Sequence, residues 1–352
     1  MDVQVDRSRL LCLLERFLLA HAPPGAEGEV DAIVLDTVQP YADAAWQDAA
    51  GSIVIHIRGQ ADSAPVAVTA HKDEIALIVK RIEEDGRLRV RPLGGLHPWA
   101  TGEGAVEILG DGKLVPGVLS VGTKHVSGES PAGRVKQGKP LSWEAMWVET
   151  KCASEALLEM GVHIGSKVVI ARSRKSPLMM GDYICGHNLD CRACLAVLVE
   201  VAKQLKDHPP PQDVYLVASS EEEVGAQGAV YSVGHLPVET VIAMEIGPVA
   251  EEYQTRNNSD PILLYGDGTG IYHEQILRRL EDLAGRLGFG VQPAVVTSFG
   301  SDASIAKKAG AAARSACICF PGENTHGYEI SCIDGILNSA RLLLAYLQHP
   351  VV

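Results

Sequence analysis

The chain has 352 residues, with 31 Lys and Arg against 44 Asp and Glu, so its formal net charge is −13. This acidic balance argues against nucleic acids and anionic membrane surfaces as partners, because both are bound through clustered Lys and Arg. Hydrophobic residues make up 46% and charged residues 21%, which is typical of a globular protein with a large core. The length suggests about two domains.

We expect neither a signal peptide nor a transmembrane segment. Residues 1–9 lack an apolar core, and no segment approaches about 20 uninterrupted apolar residues. Several of the eight cysteines lie in apolar runs, which indicates reduced, buried thiols and a cytoplasmic protein. Cys191 and Cys194 form a CxxC pair, but Cys317 and Cys319 do not supply the second pair of a zinc ribbon. We interpret all four as structural rather than as a ribbon or redox motif, with the last two on opposite faces of a strand.

The first part of the chain predicts helices and strands in alternation. Apolar residues at helical spacing indicate an amphipathic helix over 10–18, which ends before Pro23. A second helix is predicted over 29–38, and β-branched runs predict strands over 52–57 and 66–70.

The pattern changes between residues 81 and about 170, where short alternating runs are separated by Gly and Pro, as in a small β-rich module with one helix over 154–160. Beyond Pro177 the alternation resumes, with helices predicted over 192–205, 271–287 and 333–347 and strands over 214–218, 240–244 and 316–320. Such alternation predicts an α/β fold with a mostly parallel sheet flanked by helices. We therefore expect one domain formed by residues 1–76 and 176–352, with the β-rich domain 77–175 inserted into it.

Five short segments carry metal-ligand side chains just beyond a predicted strand or at the start of a helix. They contain His71 with Asp73, Asp190, Glu222 with Glu223, Glu245, and His326. Ligands of open α/β sheets bind beyond the carboxyl ends of the strands, so these side chains are expected to converge. Two imidazoles with several carboxylates would bind one or two divalent ions of the zinc class.

Each segment alone has a structural explanation, because a lone His is more often a hydrogen-bonded structural residue and consecutive acids are usually solvated. Glu245, however, lies in the apolar run 241–246, where an unpaired carboxylate would be costly. The coincidence of five such segments favours a metal centre. His187 is a weaker additional ligand candidate.

The motifs in these segments resemble those of metallopeptidase family forty-two, the glutamyl, deblocking and tetrahedral aminopeptidases. The family's His-x-Asp-Glu-Ile, Leu-Asp-Asp-Arg-Ala and Glu-Glu-Val-Gly motifs correspond to residues 71–75, 189–193 and 222–225. The resemblance extends over nearly the whole chain, and the inserted β-rich segment is similar to the family's dimerisation domain.

The resemblance implies an aminopeptidase that acts on peptides through two divalent ions, expected to be zinc with cobalt as the alternative. Asp190 would bridge the ions, His71 and Glu245 would complete one site, and Glu223 and His326 the other. It also implies that Asp73 fixes the orientation of His71, that Glu222 is the general base, and that the chain forms a dimer-based homo-oligomer of up to twelve subunits.

Two residues depart from the family pattern, and two other functions stay open. Glu245 stands where the family more often has Asp, and Cys191 replaces the second Asp of the Asp-Asp pair. Whether the cis peptide that often follows the bridging Asp is kept is not predicted. The alternatives are a related metal-dependent amidohydrolase or glycosidase-like hydrolase, and a catalytically silent oligomeric binding protein of the same fold.

Overall fold

The computed structural model describes residues 3–61 and 63–351. The helices within these residues are α1 (Arg7–Leu19), α2 (Gly28–Val38), α3 (Pro98–Thr101), α4 (Pro131–Lys136), α5 (Ser154–Glu159), α6 (Leu189–Asp207), α7 (Gln227–His235), α8 (Glu274–Leu287), α9 (Asp302–Lys308) and α10 (Ile333–Gln348). The strands are β1 (Ala44–Gln47), β2 (Ile53–Ile57), β3 (Val66–His71), β4 (Ala76–Ile82), β5 (Leu88–Leu93), β6 (Gly104–Gly110), β7 (Lys113–Ser120), β8 (Trp147–Glu149), β9 (Lys167–Ile170), β10 (Leu178–Met180), β11 (Tyr183–Gly186), β12 (Val214–Ser219), β13 (Thr240–Pro248), β14 (Ile262–Gly266), β15 (Gln292–Val295), β16 (Arg314–Gly322) and β17 (Glu329–Cys332). None of the helices in this part of the chain is long and apolar enough to cross a membrane.

The main sheet is mixed, with its central strands parallel. Its order is β1-β2-β12-β3-β13-β16-β14-β15. The pairs β12·β3, β3·β13 and β13·β16 are parallel, whereas β2 pairs with β12, and β14 with β16, in the antiparallel sense. The carboxyl ends of four adjacent strands therefore meet at one edge. The predicted α/β class is confirmed.

Helices cover this sheet through a large apolar core. The helix α6 contacts β3, β12 and β13, and both α1 and α10 pack against α6. A second group, α7 and α9, packs together and contacts β12 and β16. The buried, β-branched runs of β3 and β13 explain why these strands are central, since a strand covered on both faces needs apolar side chains in succession.

The strands between Ala76 and Ile170 form a closed barrel in the order β4-β5-β8-β7-β6-β9, with its own apolar core. Successive side chains of a barrel strand face the interior and the exterior in turn, which accounts for the short alternating runs in this stretch of sequence. The helix predicted over 154–160 is present as α5.

Several element boundaries differ from the sequence prediction. The strand β13 extends to Pro248, so Glu245 lies inside a strand rather than beyond its end. The helix predicted from residue 271 begins at Glu274, because Ile271 forms a β-bridge with Gly266. The sequence reading also missed the short elements β1, β10, β11, β14, β15, β17, α7 and α9.

Candidate metal centre

The predicted ligands converge at the edge where the parallel strands end. His71 is the last residue of β3 and is paired with Ser219, the last residue of β12. Glu222 and Glu223 lie in the loop after β12, and His326 lies in the turn between β16 and β17. Since these strands are adjacent, segments distant in sequence bring their side chains together.

The first group of possible ligands surrounds the imidazole of His71. Its Nε2 lies 2.9 Å from Asp190 Oδ1 and 3.9 Å from Glu245 Oε2. The Cys191 thiol belongs to the same group, in which one ligand atom from each residue lies within 4.8 Å of all the others. All four side chains are buried.

The second group shares Asp190 with the first. Nε2 of His326 lies 3.4 Å from Asp190 Oδ2 and 3.8 Å from Glu223 Oε2. The two oxygens of one carboxylate thus face two different groups of donors, which is the arrangement expected of a residue that bridges two ions.

Asp73 links His71 to the two consecutive acids. Nδ1 of His71 lies 3.2 Å from the Asp73 carbonyl oxygen and 3.4 Å from its carboxylate. That carboxylate accepts hydrogen bonds of 3.0 Å from the backbone N–H groups of both Glu222 and Glu223. Asp73 therefore orients the imidazole and also holds the segment that carries the acids.

Two residues that the sequence reading did not select also hold the ligands in place. The buried Glu329 accepts hydrogen bonds of 3.0 Å from the backbone N–H groups of Asp190 and His326. Gly95 lies between β5 and α3, and its carbonyl oxygen lies 3.1 Å from Nδ1 of His326. Neither residue carries a local signal, because each acts through contacts that only the folded chain creates.

Burial and like charge dominate the electrostatics of the cluster. Burial raises the pKa of Glu222 and Glu245 well above the usual value, and it raises that of Glu223 to about 7, with nearby carboxylates adding to the effect. Burial opposes the charged form of His326 as well, but hydrogen bonding to Asp190 and the charge of Glu223 raise its pKa to about 10. The cluster therefore collects positive charge, as protons or as cations.

His71 and Asp190 show the same coupling. Burial lowers the pKa of His71, but its hydrogen bonds to Asp190 and Asp73 outweigh this and raise the pKa well above its ordinary value. Burial raises the pKa of Asp190, but hydrogen bonds from His326 and His71 lower it overall.

The donor set fits divalent ions of the zinc class. Within residues 3–61 and 63–351, the buried Oε1 of Glu245 has no hydrogen-bond partner. A buried carboxylate oxygen without a partner is costly unless a cation or water satisfies it. Imidazole nitrogens combined with carboxylate oxygens suit zinc and its transition-metal neighbours better than calcium or magnesium.

A cavity of about 460 Å³ opens over this cluster. Its lining outside the possible ligands is formed by uncharged residues, namely Gly95, Gly268, Thr269, Thr297, Ser298, Phe299, Gly300 and Ile305. The cavity gives a small molecule or a chain end direct access to Glu222 and Glu223.

The remaining cysteine and histidine predictions have mixed outcomes. The sulfurs of Cys317 and Cys319 lie 3.5 Å apart, so the prediction of opposite faces is wrong: residues two apart on a strand share a face. The Asp190–Cys191 peptide is cis. His187 lies outside the ligand groups of the described residues. Its Nδ1 lies 3.0 Å from the Gly327 carbonyl oxygen, and burial lowers its pKa to about 4.

Comparison with known proteins agrees with this architecture. The sequence model of the M42 glutamyl aminopeptidase family matches residues 51–342. A lysyl aminopeptidase of Pyrococcus furiosus is 32% identical over 216 residues, which are 61% of this chain and 59% of that relative.

Solved structures with the same fold cover almost the whole chain. An aminopeptidase from the archaeon Desulfurococcus kamchatkensis superposes with a TM-score of 0.88 at 25% identity, over 97% of this chain and 95% of that one. The TET1 peptidase of Pyrococcus horikoshii, which can assemble into a tetrahedron or a large octahedral shell, gives 0.85 at 21% identity, over 97% and 99%.

The fold and the matches define a peptidase, a hydrolase of peptide bonds. More specifically, the chain belongs to the M42 glutamyl aminopeptidase family. The family resemblance seen in the sequence motifs is thereby confirmed.

Proposed function

We propose that this aminopeptidase hydrolyses N-terminal residues from peptides through a dinuclear metal centre with a glutamate general base. The observation that carries the proposal is the shared position of Asp190, whose two carboxylate oxygens face separate donor groups. One ion would be held by His71, Asp190 and Glu245, and the other by Asp190, Glu223 and His326. The imidazoles favour zinc, with cobalt as the alternative.

Bound divalent ions would polarise the scissile carbonyl and lower the pKa of the attacking water. The chain supplies the proton transfer. Glu222 lies beside His71 and Glu223 but belongs to neither ligand group around Asp190. It is held through its backbone N–H by Asp73. We propose that Glu222 accepts a proton from the attacking water and delivers it to the leaving amine.

The charge of a metal-loaded site would be compatible with a peptide N-terminus. The four acids that line the cavity, Asp190, Glu222, Glu223 and Glu245, carry four negative charges when ionised, and two divalent ions would offset them. A free ammonium group would therefore meet no excess positive charge. The remainder of the cavity wall is uncharged and adds no positive charge that would repel the ammonium group.

Beyond the site, we propose that residues 77–175 form a dimerisation domain inserted between catalytic segments 1–76 and 176–352, in a dimer-based homo-oligomer. Leu114 and Val118 on β7 support this, because 47% and 49% of their surfaces are exposed on the barrel. The eight cysteines are free thiols, which supports a cytoplasmic location.

The substitution Glu222→Gln tests the assignment. It removes the proton acceptor while keeping size and shape, so we expect kcat on aminoacyl-amides to fall about 10²- to 10⁴-fold with two metal ions still bound. Glu221→Gln is the matched control, since this neighbouring acid belongs to no ligand group of the described residues, and it should retain activity.

Peptidase activity that survives in metal-loaded Glu222→Gln would refute the base assignment. Activity that resists a strong chelator would refute the metal centre and favour a glycosidase-like reaction by two carboxylates. Purified protein that shows neither bound metal nor turnover would favour a silent binding protein.

A further inference from the structure

The His71 side of the cluster contains a fourth donor that the two-metal proposal does not use, the thiol of Cys191. Ligand atoms from His71, Asp190, Cys191 and Glu245 all lie within 4.8 Å of one another. The exposed fraction of these four residues is at most 7%, and that of Cys191 is zero. One nitrogen, two carboxylates and one sulfur therefore surround a single buried point.

A second, independent observation indicates that this point is a ligand site. Oε1 of Glu245, a residue with 2% of its surface exposed, has no hydrogen-bond partner within residues 3–61 and 63–351. The Cys191 thiol lies against the same strand and donates to the carbonyl oxygen of Met244, the neighbour of Glu245, at 3.3 Å. The unpaired carboxylate oxygen and the sulfur thus belong to one small buried region.

We propose that Cys191 binds, as a thiolate, the ion held by His71, Asp190 and Glu245; this inference rests on the two-metal proposal. When the ion binds, the sulfur–metal bond forms and the thiol proton is released to solvent. A sulfur ligand favours zinc or cobalt over manganese or magnesium, which prefer oxygen.

The two ions would then have different surroundings. An ion beside Cys191 would have four protein ligands, as structural sites do, whereas an ion held by Asp190, Glu223 and His326 would have three. An ion with three protein ligands would leave a position for water, and its ligand Glu223 lies in one group with Glu222. The water that reacts would then belong to the ion on the His326 side.

Absorption of the cobalt-loaded protein tests the inference directly, because a thiolate bound to Co²⁺ gives a charge-transfer band in the near ultraviolet. We expect this band in the wild type, and we expect Cys191→Ser to lose it while two cobalt ions still bind. Cys194→Ser is the matched control, since Cys194 is another fully buried thiol close by, and it should keep the band. In Cys191→Ser the zinc affinity should fall about tenfold or more, with little change for manganese.

If Cys191→Ser does not fold, X-ray absorption of the zinc-loaded protein still tests the inference, because it detects sulfur bound to zinc without that variant. A sulfur shell at about 2.3 Å in both the wild type and Cys194→Ser supports the inference. Two bound ions without a sulfur shell or cobalt band overturn the inference but leave the two-metal proposal intact. A band that persists in Cys191→Ser, or disappears in Cys194→Ser, also overturns it. A wild type that binds no metal overturns both.

Discussion

The buried Lys175 offers the sharpest test of how the site is supported. Its side chain is fully buried, and Nζ donates to both carboxylate oxygens of Glu74, at 2.8 and 2.6 Å. It also donates to the Ala20 carbonyl oxygen at 3.1 Å and lies 2.9 Å from Nδ1 of His21. Lys175→Met keeps an apolar stem of similar length but leaves the Glu74 carboxylate without its main cation.

The size of the effect follows from the partners that remain. Glu74 keeps hydrogen bonds from Ala22 N–H at 2.8 Å and from the Asn188 amide at 2.5 Å, whereas the guanidinium of Arg192 is 3.7 Å away. Breaking one side of a buried ion pair costs about 3–5 kcal/mol, and these remaining bonds favour the lower end, about 3 kcal/mol. Since Asn188 precedes Asp190 by two residues, the Asp190 carboxylate should also lose order.

Urea denaturation followed by circular dichroism measures the loss in the free energy of unfolding. Metal titration shows whether the less ordered site binds metal more weakly. Lys203→Met is the control, because its pair with Asp207 is solvent-exposed, and it should shift the free energy of unfolding by less than about 0.5 kcal/mol. The double variant Lys175→Met/Glu74→Gln should be more stable than Lys175→Met, since the buried Glu74 charge that lost its main cation is removed. The buried Arg192 loses Glu74 as its partner but keeps the negative charges of Asp73 and Glu27 nearby. A loss below about 1 kcal/mol in Lys175→Met would refute the reasoning.

Two further predictions concern residues around the ligands. Glu329→Gln replaces a carboxylate that accepts from two backbone N–H groups with an amide that can accept from only one of them. Metal titration should show affinity about tenfold weaker, and unchanged affinity would refute the supporting role of Glu329. For His187, burial lowers the pKa from 6.5 to about 4, so within that range the unfolded chain binds a proton that the folded chain does not. Stability should therefore fall as the pH falls from 6.5 toward 4. His187→Asn should abolish up to about 3 kcal/mol of this acid-induced loss, as measured by urea midpoints at pH 7.5 and 4.5. Equal losses in both proteins would contradict the assignment.

Local pattern predicted the longer elements because hydrophobic periodicity is written in neighbouring residues. The helices α1, α2, α6 and α10 and the strands β2, β3, β12 and β16 lie where the sequence places them. Short elements such as β17 and α9 were missed, because a few residues are too short a stretch to show a hydrophobic period. The helix α8 begins later than predicted because Ile271 forms a β-bridge with Gly266, a pairing that the spacing of apolar residues does not reveal.

The chemistry of the site was readable for a related reason. His71, Asp190, Glu223 and His326 follow strand or helix signals, and adjacent parallel strands bring their ends to one edge whatever the loop lengths. The sequence by itself therefore determined the types of donor and the edge where they meet.

Only the tertiary structure decided which atoms face which. Strand order and register direct the two oxygens of Asp190 toward different partners. They also place Glu329 against the backbone N–H groups of Asp190 and His326, and they bring Gly95, between β5 and α3, to His326. These contacts arise between segments far apart in the chain, whose approach is set by packing of the whole core rather than by any local preference.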